Sequence, residues 1–404
     1  MNLIKIAWRN IWRNKVRSST VITSVVVGLM AGIFAAALVE GMMLGRFENF
    51  IEKEISHLQV HQPDFIEQPE VPYFIQESIT SLEKIDAIEG VKSVTARSRA
   101  QAMIASATYT AGVTLNGVLP EREEQTTGFS SNIIEGEYLD KDDKNAVLIG
   151  KALANKMNVN IGSRIVLTFQ DAENEMVAAA FTVKGIFETY YARYDESTAF
   201  VPLTYLNEHL QLGDSFHEIA VLAKDMDVVQ DLKKELSLLF PNDKVRSWNE
   251  ISPELEYWVE LGGVFSYIFV IVLMLGLAFG LLNTMLMAVF ERTREIGMLM
   301  AIGMSKRKVF FMIVYETFML SIIGTIISII GSSILIRWLS ERGIDLSAFS
   351  DVMQELGFET LIYPYLAGSF YIFLPIIVLI ISLFAAIYPA IKALRLNPSD
   401  AVRK

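Results

Sequence analysis

The sequence predicts an integral membrane α-helical protein with four transmembrane helices and a large mixed α+β extracytoplasmic domain inserted between the first and second. Three observations carry this expectation. One long apolar run lies near the N-terminus and three more lie beyond residue 260 of the 404. The segment between the first run and the others is mostly water-soluble. Hydrophobic residues make up 52% of the chain while 20% of residues are charged, which suits neither an ordinary soluble domain nor an all-membrane bundle.

The elements follow in order. In LIKIAWRNIWRNKVRS, Leu3, Ile4, Ala7, Trp8, Ile11 and Trp12 form one helical stripe against Lys5, Arg9 and Arg13, as expected of a helix lying in the membrane interface. The first span is Val21 to Met43, interrupted by Glu40, and is long enough to cross about 30 Å of hydrocarbon. It exceeds the usual core of about 7–15 residues of a cleaved signal and shows no small-x-small cleavage site, so a retained anchor is expected. Phe47 to Glu54 continues its periodicity as a stalk.

HLQVHQ reads as a strand and SLEKIDAIEG as a short helix, with Leu82, Ile85 and Ile88 at helical spacing and Gly90 as its stop. VKSVTARSRAQAMIASATYTAGVTLNGV reads as strands turning at Asn116-Gly117. Asn145 to Leu167 reads strand, helix, glycine turn, strand, and AAAFTVKGIFET adds another strand. FHEIAVLAKD is a further strand, followed by a helix over DVVQDLKKELSLLF. A strand and helix that return late to join an early unit predict two subdomains, one inserted into the other. Ser252 to Gly263 forms the returning stalk, with Pro253 in its first turn. The remaining spans are Phe265 to Val289, Val309 to Trp338 and Tyr365 to Tyr388, helices because lipid satisfies no backbone group. The expected divisions are 1–45 (interfacial helix and first span), 46–260 (extracytoplasmic domain with stalks) and 261–404 (three spans, a coupling helix at 291–303 and a tail).

Basic residues set the orientation. They cluster before the first span, between the second and third spans (Arg292, Arg294, Lys306, Arg307, Lys308) and in the tail (Lys392, Arg395, Arg403, Lys404). The positive-inside rule places all three clusters, and both termini, on the cytoplasmic side of the membrane. The segment 46–260 carries the acidic excess of a chain with formal net charge −11, and the second outer loop, Ser340 to Pro364, is acid-rich as well. An acidic outer face is a poor partner for nucleic acid or other polyanions.

Little in the chain suggests catalysis. It has no cysteine, so neither a disulfide framework nor thiolate chemistry is available. His57 and His61 sit four apart, but HLQVH lacks the glutamate of a zinc-hydrolase helix and runs into Pro63; His209 and His217 read as surface or structural groups, and no metal is expected. IGKALANK lacks the glycine spacing and terminal Gly-Lys-Ser/Thr of a phosphate loop and reads as a turn and helix start. The aromatic stretch FETYYARYDEST reads as packing or interface surface. Among ionisable residues within the spans, Glu40, Glu316 and Arg337 read as interface anchors or helix-pairing groups. Gly276, Gly280 and Asn283 mark a candidate helix-packing face in the second span.

The segment AVFERTREIGMLMAIGMSKRKVFFMIVYE is more specific. Charged Glu291, Arg292, Arg294 and Glu295 abut an apolar run, Ile296 to Ile302, too short to cross, and Gly303 and Ser305 break it before the basic triplet. Physically this is a short helix on the cytoplasmic surface, tied to two spans and offering an apolar face and ionic handles.

ERTREIGMLMAIGMSKRKVFFMIVYETFMLSIIGTIIS, YPAIKALRLNPSDAVR, WRNIWRNKVRS and ANKMNVNIGSRIVL together resemble the FtsX-like permeases of ABC transporters, the class that includes lipoprotein-releasing, macrolide-exporting and cell-division permeases. The resemblance spans nearly the whole chain. It implies a permease dimer, from a second copy or a paralogue, bound to a dimer of a separate cytoplasmic ATPase that uses ATP and Mg. The chain itself then binds no cofactor and has no catalytic residue. It implies contact of Glu291, Arg292, Arg294, Glu295, Gly297 and Met298 with that ATPase, and ATP-driven movement of the outer domains, or mechanotransmission, without a channel through the membrane. Three roles stay open: release of lipoproteins from the inner membrane toward a periplasmic carrier, efflux of peptides or antibiotics through a periplasmic adaptor, and a scaffold that activates a cell-wall hydrolase. The large outer domain argues against the last, since the cell-division relatives usually have a smaller one.

Overall fold

Residues 3–394 are described by a computed structural model, and the tail basic groups from Arg395 onward, with most of the C-terminal motif, lie outside them. Among the described residues four helices are long and apolar enough to cross a membrane: Lys15–Ile55, Leu261–Glu291, Lys306–Arg342 and Phe370–Leu394. The fourth starts later than the hydropathy pattern suggests. Pro364 and Gly368 keep the approach to it irregular, and the Tyr365 N–H donates to Ala37 O at 3.0 Å instead of starting a helix. Chain contacts divide the protein into two units, Met1–Leu44 with Glu260–Asp345 and Leu361–Lys404, and Gly45–Val259 with Leu346–Thr360.

In the membrane unit the spans meet through small residues. A Cβ on Gly32 would lie 2.6 Å from the Met274 side chain, and one on Gly28 would overlap Leu277, so this glycine pair lets the first and second spans approach closely. On the third span Gly324 faces Val25, and Thr317, Ser321, Thr325, Ser328 and Ser332 form a buried stripe of small polar residues. Thr317 donates to Ile313 O (3.0 Å) and Ser328 to Gly324 O (2.7 Å) of the same helix, while the hydroxyls of Ser321, Thr325 and Ser332 are buried without a hydrogen-bond partner. The N-terminal helix Leu3–Arg13 buries Ala7 and Ile11 and leaves Trp8 and Trp12 exposed as an edge-to-face pair 5.9 Å apart.

The second unit nests one subdomain in another. Strands β1 (Leu58–His61), β2 (Val91–Ala105), β3 (Thr110–Val118), β4 (Ile133–Gly136), β5 (Ala146–Gly150), β6 (Arg164–Gln170), β7 (Met176–Phe187), β8 (Thr198–Pro202), β9 (Glu218–Ala223) and β10 (Lys244–Ser247) form one sheet system. The order β10-β1-β9-β2 is antiparallel, and the helices Ser81–Asp86 and Val229–Leu239 bury Leu82, Ile85, Leu232 and Leu236 in its core: a split βαβ arrangement. Between β2 and β9 the chain detours into a barrel. β2 pairs β3, β3 pairs β8, β8 pairs β5, β5 pairs β7, β7 pairs β6 and β6 returns to β2. β2 is long enough to serve both subdomains, with Val91–Arg97 on β9 and Arg97–Ala105 on β3. The barrel is filled by Ile104, Leu115, Ile149, Leu167, Phe169 and Phe181.

Asn116-Gly117 does not turn. Both residues lie inside β3, paired with Arg99 and Ser98, and the reversal falls at 106–109. Gly117 is needed for a different reason: a Cβ there would lie 2.8 Å from Leu206 Cδ2 and 3.2 Å from Leu203 Cα, so its absence lets the helix Leu203–Leu210 pack on the strand. Gly150 similarly ends β5 against the Asp195 backbone, and the adjacent Lys151 starts a helix and pairs with Glu188 at 2.9 Å. The stretch Leu346–Thr360 folds with this unit: Arg46 donates to Leu356 O at 2.6 Å and Lys53 pairs with Glu359 at 3.2 Å.

Candidate functional site

The segment between the second and third spans forms a helix over Thr293–Ala301. Arg292 leaves helical geometry and breaks it from the second span, and Gly303, at φ 99°, turns the chain after it. Its inner face carries Ile296 and Gly297, both buried, while Glu291, Arg294, Glu295 and Met298 are exposed and Ile302 is 85% exposed.

This connecting helix is anchored by charge. Glu316 on the third span is buried, and it accepts from Arg17 Nη2 at 2.6 Å and from Arg292 Nη1 at 2.8 and 2.7 Å through its two oxygens. Side-chain exposure is 6% for Arg17 and 6% for Glu316, so neither charge is screened by water. Glu295 then binds Arg13 of the N-terminal helix at 2.6 Å and lies 3.5 Å from Arg292 Nε. Five side chains thus tie the connecting helix to the N-terminal helix and to the first and third spans. Charge of this kind at the end of a span is retained only where partners meet it.

The sequence-derived residues separate by direction. Arg292 and Gly297 are engaged inside the unit, and Glu295 is shared with Arg13 and Arg292. Glu291, Arg294 and Met298 remain as outward groups. Gly276, Gly280 and Asn283 are exposed on one side of the second span, with nothing in the chain within 4 Å of a Cβ at either glycine. The tight contact inside the chain uses Gly28 and Gly32 instead, a glycine pair at the same spacing that sequence reasoning passed over. It also left the partners of Glu316 unnamed. The available signal was the acid itself, which needs cations at its own depth, and Arg17 and Arg292 are the basic residues nearest that end of the first and second spans. Glu40 is half-buried and Arg337 exposed.

A second charge cluster holds the outer unit together where β2 passes between subdomains. Buried Glu218 meets Arg97 at 3.0 Å, Arg99 at 2.9 Å and His61 at 3.3 Å, and Arg97 also grips Glu123 at 2.7 Å. Burial pushes the Glu218 carboxyl up, but Arg99, the His61 hydrogen bond and Arg97 together outweigh it and hold the group well below the usual carboxylate range. Burial pushes His217 down to about 4. Its ring lies between Val71 O, 3.0 Å from Nε2, and the Arg99 N–H, which donates to Nδ1 at 3.0 Å, so the neutral tautomer satisfies both. His57 Nδ1 accepts from the Ala223 N–H at 3.1 Å, so these histidines are occupied in the fold. Among the described residues no group of three His, Asp or Glu is arranged to hold a metal.

Two family profiles match: a MacB-like periplasmic core domain over residues 18–239 and an FtsX-like permease C-terminal region over 267–398. The lipoprotein-releasing system transmembrane protein LolC of Xylella fastidiosa (strain 9a5c) is 23% identical over 301 residues, covering 72% of each chain. LolC of Neisseria meningitidis serogroup B is 24% identical over 331 residues, 75% of this chain and 76% of that one. The macrolide export ATP-binding/permease protein MacB of Chlorobaculum tepidum is 32% identical over 127 residues, 31% of this chain and 16% of that one. Among solved structures, the periplasmic region of MacB from Actinobacillus actinomycetemcomitans aligns with a TM-score of 0.38 at 16% identity, over 52% of this chain and 96% of that one.

Proposed function

Because the chain belongs to the family of FtsX-like, MacB-type ABC transporter permeases with an extracytoplasmic core domain, we propose that it couples a cytoplasmic ATPase dimer to movement of that domain and so releases lipoproteins from the inner membrane. The observation that carries the coupling is the anchoring of the connecting helix. Its outward groups, Glu291, Arg294, Met298 and Ile302, are free to meet a soluble protein, while its inward groups are bound by ion pairs to the N-terminal helix and two spans. A push on such a helix reaches the spans with little loss, because buried, multiply bonded charges hold one geometry. Arg292, Glu295 and Gly297 serve as the inner side of that joint; Glu291, Arg294 and Met298 serve as its ATPase-facing side.

Release of lipoproteins is favoured over efflux by the extent of likeness: LolC proteins match along about three quarters of the chain, MacB along less than a third. The MacB match is the reason to keep efflux of peptides or antibiotics as the second reading. The exposed Gly276, Gly280 and Asn283 face then meets a second permease, a copy or a paralogue, since close approach through glycine suits a helix pair in lipid.

Gentle purification from native membranes followed by mass spectrometry of stoichiometric partners separates these readings. An ATPase with acylated proteins supports lipoprotein release, an ATPase with a periplasmic adaptor supports efflux, and a stable preparation without any ATPase overturns the coupling role.

A further inference from the structure

A cavity of about 390 Å³ opens beside the connecting helix, within the size range of small-molecule sites. Its apolar wall comes from the spans and the helix, including Val21, Met285, Met312 and Leu299. Its charged wall holds Arg13, Arg17 and Arg292 against Glu295 and Glu316, three guanidinium groups to two carboxylates.

The hydrogen bonds leave the same surplus. Glu316 is filled by Arg17 Nη2 and Arg292 Nη1, and Glu295 is taken by Arg13. Nη1 of Arg17 and Nη2 of Arg292 are buried without a hydrogen-bond partner, and Nε of Arg292, which also makes no hydrogen bond, lies 3.5 Å from Glu295. Buried unpaired donors on a cation are costly, and each is met most strongly by an anionic oxygen. No carboxylate in the wall is left to receive a ligand's ammonium group, which disfavours a zwitterion. The cavity sits at the connecting-helix end of the spans, where acyl chains and headgroups meet.

We propose that this cavity binds one anionic glycerophospholipid, its phosphodiester taking the open N–H groups of Arg17 and Arg292 and its acyl chain running along the apolar wall. The bilayer leaflet on the side of the connecting helix supplies the ligand. The inference needs no ATPase and no cargo, so it stands or falls separately from the function proposed above.

The test is native mass spectrometry of the full purified chain in detergent, titrated with dioleoyl phosphatidylglycerol, dioleoyl phosphatidylcholine, dioleoylglycerol or inorganic phosphate. The expected result is a single phosphatidylglycerol adduct formed at a concentration at least about tenfold below that for the other two lipids: dioleoylglycerol has no phosphodiester and leaves a charge-assisted hydrogen bond unmade, while phosphatidylcholine keeps the phosphodiester but brings a cation against guanidinium groups with no free carboxylate to meet it. Arg17→Gln should erase that preference. Leu299→Trp, which fills the cavity and leaves every ion pair in place, should erase it too, with unchanged elution as a check on folding. Equal uptake of the three lipids, or a preference that survives Leu299→Trp, overturns the proposal. Displacement of phosphatidylglycerol by millimolar inorganic phosphate also overturns it, since the site would then be one for a free anion.

Discussion

Glu316→Ala is the sharpest perturbation of the coupling joint. The side chain accepts three hydrogen bonds, at 2.6, 2.8 and 2.7 Å, from two guanidinium groups, and its removal strands buried Arg17 and leaves Arg292 only the 3.5 Å contact with Glu295. Breaking a buried ion pair from one side costs about 3–5 kcal/mol, mostly as the penalty of the stranded charge. Arg17→Met should cost much less. It leaves Arg292 and Glu316 as a neutral two-bond pair and puts an apolar chain against Val21 and Met312, neighbours in the same cavity wall. The assay is hydrogen exchange of the purified full chain, read on the amides of Thr293–Ala301. A cost of about 3–5 kcal/mol raises the open fraction by about two to three and a half orders of magnitude. The reasoning is refuted if Arg17→Met loosens the connecting helix as much as Glu316→Ala, or if Glu316→Ala leaves its exchange unchanged.

Other perturbations separate packing from partner contact. Gly28→Leu should destabilise the membrane unit by about 1–3 kcal/mol, because its side chain enters space held by Leu277, whereas Gly276→Leu should leave single-chain stability unchanged; a thermal melt of both variants in detergent checks this. Gly117→Ala should destabilise the outer unit by about 1–3 kcal/mol through Leu206 and Leu203, measured by urea unfolding monitored on the outer-unit peptides, and a neutral result would refute the packing role of Gly117. Acidification should withdraw the contribution of His217 to the outer unit, against an opposing gain from Asp195, whose carboxyl burial raises to about 6. His217 is held near 4 in the fold against about 6.5 when unfolded, so the unfolded chain takes up a proton first as pH falls below 6.5. The His217 contribution is then complete above about 6.5 and is lost toward 4 by about 3 kcal/mol, read as the difference between the unaltered chain and His217→Gln in a pH series of melts.

Much of the architecture was legible in the chain because its signals are local. Hydropathy marks four spans, and the late return of a strand and helix, FHEIAVLAKD and DVVQDLKKELSLLF, announces a nested subdomain now seen as β9 and Val229–Leu239 packed with β1 and β2. Barrel closure was not legible. It depends on parallel pairings such as Thr114–Val118 with Thr198–Pro202, whose partners are far apart in sequence and carry no spacing signal. Asn116-Gly117 misled because one residue type serves turns and close packing alike, and only the neighbouring helix distinguishes them. At the candidate site, the composition of the connecting helix gave its position and amphipathic character. Which of its charges point inward depended on Arg17 and Glu316, some three hundred residues apart.

Site-specific photocrosslinking from Met298 in native membranes tests the central claim most directly, because that side chain is exposed on the connecting helix and belongs to no ion pair. The account predicts a covalent adduct with a soluble ATP-hydrolysing protein, formed from Met298 and absent from a probe at Met103 on the outer barrel. Adducts from Met298 to lipid alone, in membranes where the ATPase is present and the chain intact, would contradict it.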